Sequence, residues 1–242
     1  MTAAPDLPGA REAGASRPPV AVALDALDVP TALRWTTVVG PHVAAVKVGL
    51  ELFCRFGPAM VTEIRGRTDA DLFLDLKLHD IPATVAGAAR AVAPLRPRYL
   101  TVHAVAGQAS VRAAVDALPD VAIAAVTVLT SMGADDLDAI GLAGPPLDAV
   151  RRLAVLGVAA GARAVVCSPA EVAAVRAEVG PDITLITPGV RPAGTPVQDQ
   201  ARVATPRQAL DAGADLLVIG RPITGAGDPG AAAAAIAASL AH

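Results

Sequence analysis

Residues 72–82 read LFLDLKLHDIP, and this is the most informative stretch of the sequence. Apolar and charged side chains alternate along it, which predicts a β-strand, and Pro82 predicts the first turn of a helix. In such a strand Asp75 and Lys77 lie on one face, with their Cα atoms about 7 Å apart, while the leucines lie on the other face. The stretch therefore predicts a strand followed at once by a helix, with its leucines directed toward the helices.

The alternation of short aliphatic runs and Ala-rich segments continues on both sides of this stretch. Strands are predicted at residues 20–25, 43–48, 71–77, 99–103, 122–129, 164–167, 184–186 and 216–219. Helices are predicted at residues 31–39, 51–65, 82–93, 106–118, 147–160, 169–179, 206–212 and 229–240. Eight strands alternating with eight helices in a chain of 242 residues predict an α/β fold, a single (β/α)8 TIM barrel over residues 20–242.

An open, doubly wound sheet would also alternate strands with helices. That fold usually carries a Gly-rich turn after its first strand, whereas residues 24–28 here read LDALD. The barrel is therefore favoured, and reacting groups are expected at the C-terminal ends of its strands and in the loops that follow.

The composition excludes several classes of function. The chain has 20 Lys and Arg against 23 Asp and Glu, a formal net charge of −3, so bulk charge does not favour nucleic acid. Aromatic residues make up 2% of the chain, too few for a surface on which bases stack. With 53% hydrophobic residues, a disordered chain is also excluded.

Cysteine usage and apolar runs indicate a cytoplasmic protein. Cys54 and Cys167 are far apart in the sequence, which argues against a disulfide framework and against a zinc site. No apolar run approaches the roughly 20 residues that cross a bilayer, so no membrane association is expected. Residues 1–19 lack a continuous apolar segment and are predicted to form a flexible extension.

Charged residues end three of the predicted strands. Asp25 ends the first, Lys47 lies in the second, and Asp75 and Lys77 lie in the third. If these side chains face the barrel interior, carboxylates and ammoniums share a partly desolvated mouth, which is costly unless they pair with each other or with a ligand. The alternative is a solvent-facing row of ion pairs on an amphipathic strand.

The segment after the third strand carries further polar candidates. Asp80 is predicted to cap the following helix, with Thr84 in the same first turn, where both could face a reacting group. His79 is expected to point away from Asp75 on the period-two argument. His103, at the end of the fourth strand, is a candidate polar residue lining the mouth.

Glycine and arginine follow the seventh and eighth strands. Residues 187–191 read TPGVR and residues 220–223 read GRPI. In a TIM barrel these two loops frequently bind phosphate through backbone N–H groups and guanidinium groups, so a monophosphate site is predicted. Residues 192–204 are long and polar enough to form a lid over it, with an ordinary surface loop as the alternative.

These motifs together resemble one family. Residues 74–82 (LDLKLHDIP) look like the signature of the orotidine 5′-phosphate decarboxylases. Supporting matches are residues 23–25 (ALD), 47–53 (KVGLELF), 129–131 (LTS), 187–191 (TPGVR) with Gln200, and 218–222 (VIGRP). The resemblance covers nearly everything from Val20 to Leu240.

The resemblance implies conversion of orotidine 5′-monophosphate to uridine 5′-monophosphate, the last step of de novo pyrimidine synthesis, without metal or cofactor. Lys47, Asp75, Lys77 and Asp80 would form a charged network around the reacting carbon, with Lys77 protonating the C6 carbanion. Asp80 would come from the other subunit of a homodimer.

The resemblance also implies substrate contacts. Asp25, Lys47 and, across the dimer, Thr84 would contact the ribose. Thr130 would contact the pyrimidine edge, although Ser131 is the open alternative. Arg191, Gln200, Gly220 and Arg221 would hold the phosphate and the lid.

Two other functions stay open on the sequence. A Mg²⁺-dependent keto-sugar-phosphate decarboxylase or hexulose-phosphate synthase has a similar strand motif, but it carries an acidic residue where Lys47 stands, and Lys47 would repel the cation. A catalytically silent nucleotide-binding barrel is the third possibility, because a fold alone does not determine activity. Ala83, where similar signatures often have Asn, affects only peripheral contacts.

Overall fold

A closed barrel of eight parallel strands forms the centre of the protein. The structure, a computed structural model, describes residues 17–142, 144–191 and 204–240. The strands pair in chain order and β8 closes on β1. They are β1 (Val20–Ala23), β2 (Ala45–Gly49), β3 (Asp71–Leu78), β4 (Tyr99–His103), β5 (Ala122–Val126), β6 (Ala164–Val166), β7 (Thr184–Thr187) and β8 (Leu216–Ile219). The predicted (β/α)8 TIM barrel is confirmed.

Helices surround the barrel. Within the described ranges they are α1 (Val29–Val39), α2 (Leu50–Arg65), α3 (Pro82–Val92), α4 (Gln108–Ala117), α5 (Ala134–Ala139), α6 (Pro146–Ala159), α7 (Val172–Val179), α8 (Pro206–Asp211), α9 (Arg221–Thr224) and α10 (Pro229–Leu240). All eight predicted helices are present. The two short helices α5 and α9 were not predicted, because neither is long enough to show an apolar face of helical period.

Two strands end at least two residues earlier than predicted. The first strand ends at Ala23 rather than at residue 25, and the fifth ends at Val126 rather than at residue 129. Aliphatic sequence continues past both points, so composition alone does not mark the ends. Asp25 and the residues after Val126 consequently lie in loops at the C-terminal end of the barrel, where side chains are free of the ladder.

The core has two layers separated by the strands. The outer layer packs the strands against the helices and includes Leu72, Leu74 and Leu76 of β3. The inner layer fills the barrel, mostly with alanines from the other strands around Phe73, whose ring meets the Tyr99 ring edge-on at 5.7 Å. Side chains that follow Phe73 on its face of β3 therefore point toward the C-terminal mouth.

The pairing of β3 with β4 is irregular just below that mouth. Leu74 pairs with Leu100, and the next pair is Leu78 with Val102. Three residues of β3 thus stand opposite the single residue Thr101, an enlarged β-bulge of the kind that redirects side chains near active sites. The backbone φ angle of Lys77, inside the bulge, is +49°, in the left-handed region.

The residues just before β1 are attached to the opposite end of the barrel. The carbonyl of Pro18 accepts hydrogen bonds from the N–H groups of Val20 and Ala44, and the carbonyl of Pro19 accepts one from Leu217. Arg17 pairs with Asp69. Residues 1–16, most of the predicted flexible extension, lie outside the described residues.

Helix α6 packs closely on β5 at Gly157. A Cβ atom at Gly157 would lie 2.4 Å from the Cβ atom of Ala125. We expect Gly157→Ala to lower the free energy of unfolding by about 1–3 kcal/mol, because the core must shift to accept the methyl group. Urea unfolding measures the change.

Moving the methyl group from strand to helix is the matched control. The double variant Gly157→Ala with Ala125→Gly keeps the number of buried carbons, so it should recover most of the lost stability. Equal stability of the single variant and the parent would contradict the close approach of α6 to β5.

Candidate active site

One cavity opens at the C-terminal end of the barrel, and we call it the mouth cavity. Its volume is about 520 Å³, a size typical of small-molecule sites. Eight of the residues singled out in the sequence line it: Asp25, Lys47, Asp75, Lys77, Thr130, Arg191, Gly220 and Arg221. Ser131, the alternative to Thr130, lines it too, so the geometry does not choose between them.

Asp75 lies between two ammonium groups. The Nζ atom of Lys77 donates to both carboxylate oxygens of Asp75, each at 2.8 Å. The Nζ atom of Lys47 lies 3.3 Å from Oδ2 of Asp75 and 3.7 Å from Oδ1 of Asp25. The structure therefore brings four charged residues together as an alternating chain of carboxylates and ammoniums, in the order Asp25, Lys47, Asp75 and Lys77.

The middle of this chain of charges, Lys47 and Asp75, is shielded from water, and its two ends are more exposed. The side chains of Lys47 and Asp75 are 9% and 13% exposed, whereas those of Lys77 and Asp25 are 32% and 53% exposed. A solvent-facing row of ion pairs, the alternative open on the sequence, does not fit these values. Burial raises the pKa of Asp75, but the ammoniums of Lys47 and Lys77 outweigh it and hold that pKa below its usual value.

Lys47 and Lys77 are also the only lysines in the chain, since its other 18 basic residues are arginines. Arginine keeps its proton at all physiological pH values, whereas an ammonium is a compact charge that can give up a proton. Both lysines of the chain thus line the mouth cavity, and their rarity in the composition is a signal for this site.

Glycine at position 49 leaves room for the pair between Lys47 and Asp25. Gly49 follows Lys47 on the same face of β2, and a Cβ atom there would lie 2.9 Å from Nζ of Lys47 and 3.0 Å from Oδ1 of Asp25. Any side chain would push into the gap between the two charges. The glycine is therefore part of the site, although it carries no functional group.

Arginines approach the cavity from the loops after β7 and β8. Arg191 is buried, and its N–H donates to the carbonyl of Ala204 at 3.0 Å, which joins the two ends of the segment between them. Gly220 and Arg221 follow β8 directly. The lid is predicted at residues 192–204, of which residues 192–203, including Gln200, lie outside the described residues.

Asp80 and Thr84 do not line the mouth cavity of their own chain. Both are exposed on the rim beside it. The prediction that Asp80 caps α3 was wrong: Ile81 is the N-cap residue, and the Asp80 carboxylate accepts the N–H of Ile81 at 2.7 Å instead. Pro82 does begin the helix, so Thr84 lies in its first turn as predicted.

Two histidines lie together next to the cavity. The rings of His79 and His103 are 5.4 Å apart, and neither residue lines the cavity. The expectation that His103 lines the mouth was therefore wrong. Burial, His79 and Lys77 together lower the pKa of His103, which favours its neutral form near the ammonium.

Thr101 is a polar residue that the sequence reasoning missed. It is fully buried in β4, accepts the N–H of Lys77 at 2.8 Å, and donates from its hydroxyl to Oδ1 of Asp75 at 3.1 Å. A signal was available, because polar Tyr99, Thr101 and His103 alternate with Leu100 and Val102, so they share one face of β4.

The low pKa of Asp75 makes stability depend on pH. The folded pKa lies below the unfolded value of about 3.9, so the ionised carboxylate stabilises the protein above that value, and this contribution is lost as the pH falls through the folded pKa. We expect Asp75→Asn to lose about 3 kcal/mol at pH 7, since two ammoniums lose their shared partner.

Urea unfolding between pH 7 and pH 3 tests this expectation. The stability difference between the parent and Asp75→Asn should shrink as the pH falls below about 4. Asp25→Asn, at an exposed carboxylate 3.7 Å from Lys47, is the control and should change stability by less than about 1 kcal/mol. A difference that does not vary with pH would contradict the role given to Asp75.

Comparison with known proteins identifies relatives over nearly the whole chain. The family model described as Orotidine 5′-phosphate decarboxylase / HUMPS family matches residues 18–236. The orotidine 5′-phosphate decarboxylase of Thermobifida fusca (strain YX) is 70% identical over 222 residues, covering 92% of this chain and 95% of that protein. That of Frankia casuarinae (strain DSM 45818 / CECT 9043 / HFP020203 / CcI3) is 61% identical over 241 residues, covering 93% and 88%.

A solved structure shares the fold as well. The crystal structure of orotidine 5′-phosphate decarboxylase from Lactobacillus acidophilus matches with a TM-score of 0.81 at 35% identity, over 93% of this chain and 100% of that one. By sequence and by architecture, the chain belongs to the orotidine 5′-phosphate decarboxylase / HUMPS family.

Proposed function

We propose that this protein decarboxylates orotidine 5′-monophosphate to uridine 5′-monophosphate, with Lys77 as the proton donor. The observation that carries the proposal is the Asp75 carboxylate held between the Lys47 and Lys77 ammoniums in the mouth cavity. The family to which the chain belongs supports the same reaction. The product is made in de novo pyrimidine synthesis.

The chemistry needs a fixed cation at the reacting carbon. Loss of CO₂ from C6 of the pyrimidine leaves an electron pair that no neighbouring carbonyl group stabilises well. The Lys77 ammonium is already oriented by Asp75, so it stabilises the developing carbanion without reorganisation and then transfers a proton to C6. Asp75 would lie beside the departing carboxylate and repel it before reaction.

The remaining lining residues are proposed to bind the nucleotide. We propose that Asp25, in the loop after β1, and Lys47, within β2, contact the ribose hydroxyls, and that Thr130 contacts the pyrimidine edge. Arg191, Gly220 and Arg221 are proposed to hold the phosphate together with Gln200. Because phosphate is far from the reacting carbon, its binding energy would serve to order the site and lower the barrier at C6.

The charges disfavour the Mg²⁺-dependent alternative. A divalent cation near Asp75 would meet the ammoniums of Lys47 and Lys77, both within 3.3 Å of that carboxylate. A catalytically silent binding barrel would have little use for four charges gathered in a partly buried mouth, because assembling them costs free energy. Neither alternative gains support from the geometry.

Turnover by Lys77→Ala tests the proposal. The EDTA-treated parent should convert orotidine 5′-monophosphate to uridine 5′-monophosphate, followed by the fall in ultraviolet absorbance. Lys77→Ala should lose activity by at least about 10⁴-fold while still binding uridine 5′-monophosphate, since only the cation and proton donor are removed. Arg151→Ala, at an exposed ion pair on α6, is the control and should stay active.

Near-normal turnover by Lys77→Ala would refute the mechanism. An inactive parent that nevertheless binds the product would favour the silent binding barrel. Activity that appears only on adding Mg²⁺ and a sugar phosphate would favour the metal-dependent alternative.

We further propose a cytoplasmic homodimer in which Asp80 and Thr84 reach the neighbouring site. Both residues are exposed and do not line their own cavity, which supports a role at the site of another copy. The cytoplasm fits two free cysteines, Cys54 and Cys167, because thiols stay reduced there. No helix among the described residues is long and apolar enough to span a membrane.

Mixing two inactive variants tests the shared site. If Lys77 and Asp80 of one site come from different subunits, a mixed dimer of Lys77→Ala and Asp80→Asn has one intact site. Random exchange of subunits should then restore about a quarter of the parent activity. Mixing Lys77→Ala with Asp75→Asn is the control and should restore none, because both residues belong to one subunit's half of the site. No recovery in the first mixture would refute the shared site.

A further inference from the structure

We infer that Thr101 is a positioning residue, whose single hydroxyl sets the place of both Asp75 and Lys77. This inference rests on the proposed function of that pair and adds a residue that touches neither the substrate nor the reacting carbon. It depends on the irregular pairing of β3 with β4 and on the two hydrogen bonds of the Thr101 hydroxyl.

The bulge in β3 removes the usual backbone partner of Lys77. The ladder pairs Leu74 with Leu100 and then skips to Leu78 with Val102. The N–H of Lys77 bonds instead to Oγ1 of Thr101 at 2.8 Å. A side chain on β4 has thus taken over a bond that a regular strand would make with backbone, and it does so at a residue that is fully buried.

The Thr101 hydroxyl accepts one hydrogen bond, from Lys77, and donates the other, to Asp75. The Thr101 hydroxyl has one hydrogen, which it donates to Oδ1 of Asp75 at 3.1 Å, so its lone pairs remain to accept the N–H of Lys77. The same Oδ1 atom accepts from the Nζ atom of Lys77. Backbone, hydroxyl, carboxylate and ammonium therefore form a closed ring of hydrogen bonds through Asp75, Lys77 and Thr101.

This ring holds Lys77 in an unfavourable backbone conformation. A φ of +49° disfavours any residue with a side chain, and such a conformation persists only where the surroundings over-determine it. Without the Thr101 hydroxyl, the N–H of Lys77 would lose its acceptor, and the Asp75 carboxylate would lose the hydrogen bond that this hydroxyl donates. We expect the bulge to relax and the Lys77 ammonium to shift relative to C6 of the substrate.

Substitution at Thr101 separates its hydroxyl from its volume. Thr101→Val keeps the shape and removes both bonds, whereas Thr101→Ser keeps the hydroxyl. We expect Thr101→Val to lower kcat by about 10- to 100-fold, with KM changed less than about threefold, because misplacement of a reacting group acts on the chemical step. Thr101→Ser should stay within about threefold of the parent kcat.

Thr127 offers a matched control. Its side chain is equally shielded, and its hydroxyl donates to the carbonyl of Val166 at 2.8 Å, away from the charged residues. Thr127→Val therefore loses a buried hydroxyl and one hydrogen bond without touching Asp75 or Lys77. It should lose comparable stability yet keep the parent kcat.

The two lysines allow a direct spectroscopic measurement. A protein labelled with ¹³C at lysine Cε gives two lysine side-chain signals, because the chain holds only Lys47 and Lys77. Lys77→Ala assigns them. We expect Thr101→Val to change the chemical shift of the Lys77 signal, and Thr127→Val to leave it unchanged. Thr101→Ala replaces the valine variant if the latter does not fold.

The outcomes keep this inference distinct from the proposed function. If Thr101→Val keeps the parent kcat and the Lys77 signal while Lys77→Ala is inactive, the positioning role is refuted and the mechanism stands. If Lys77→Ala is active, the mechanism fails, and the Lys77 signal of Thr101→Val still decides whether Thr101 positions that side chain.

Discussion

The carboxylate of Asp75, shared by two ammoniums, is the interaction on which the rest of the site depends. Burial alone would favour the neutral acid, and the paired cations of Lys47 and Lys77 reverse that preference. Two adjacent strands, β2 and β3, must keep fixed register for this to hold, since Lys47 stands opposite Phe73 and Gly49 opposite Asp75. The barrel supplies that register because every strand is bonded on both sides.

Much of the fold could be predicted because short aliphatic runs and Ala-rich segments mark the strands and helices in the local sequence. Strands β4 and β8 were predicted to the residue. The aliphatic run of β8 lies between Asp215 and Gly220, and β4 is an alternating segment that follows Pro97 and Arg98. The charged residues and the Gly-Arg pairs of the mouth cavity were found from their positions at strand ends, whereas Thr130 was predicted from the family resemblance. Their predicted roles in the reaction rest on family resemblance and on chemistry.

The remaining features depend on contacts between strands, which no local pattern encodes. Strict alternation would place Asp75 and Lys77 on one face of a regular strand, whereas they reach the cavity across a bulge opposite Thr101. That bulge is a property of two strands together. It holds Lys77 in a left-handed backbone conformation that lowers stability. The locally unfavourable conformation thus lies at the candidate site.

The restriction of lysine to the site has a consequence for chemical handling of the protein. Reagents that couple to primary amines find, apart from the chain's N-terminus, only Lys47 and Lys77. Lys47 is nearly enclosed, so Lys77 in the open mouth is the more accessible of the two. Immobilisation or dye labelling through amines would therefore modify the mouth cavity at Lys77, whereas coupling through the exposed thiol of Cys54 would leave both ammoniums intact.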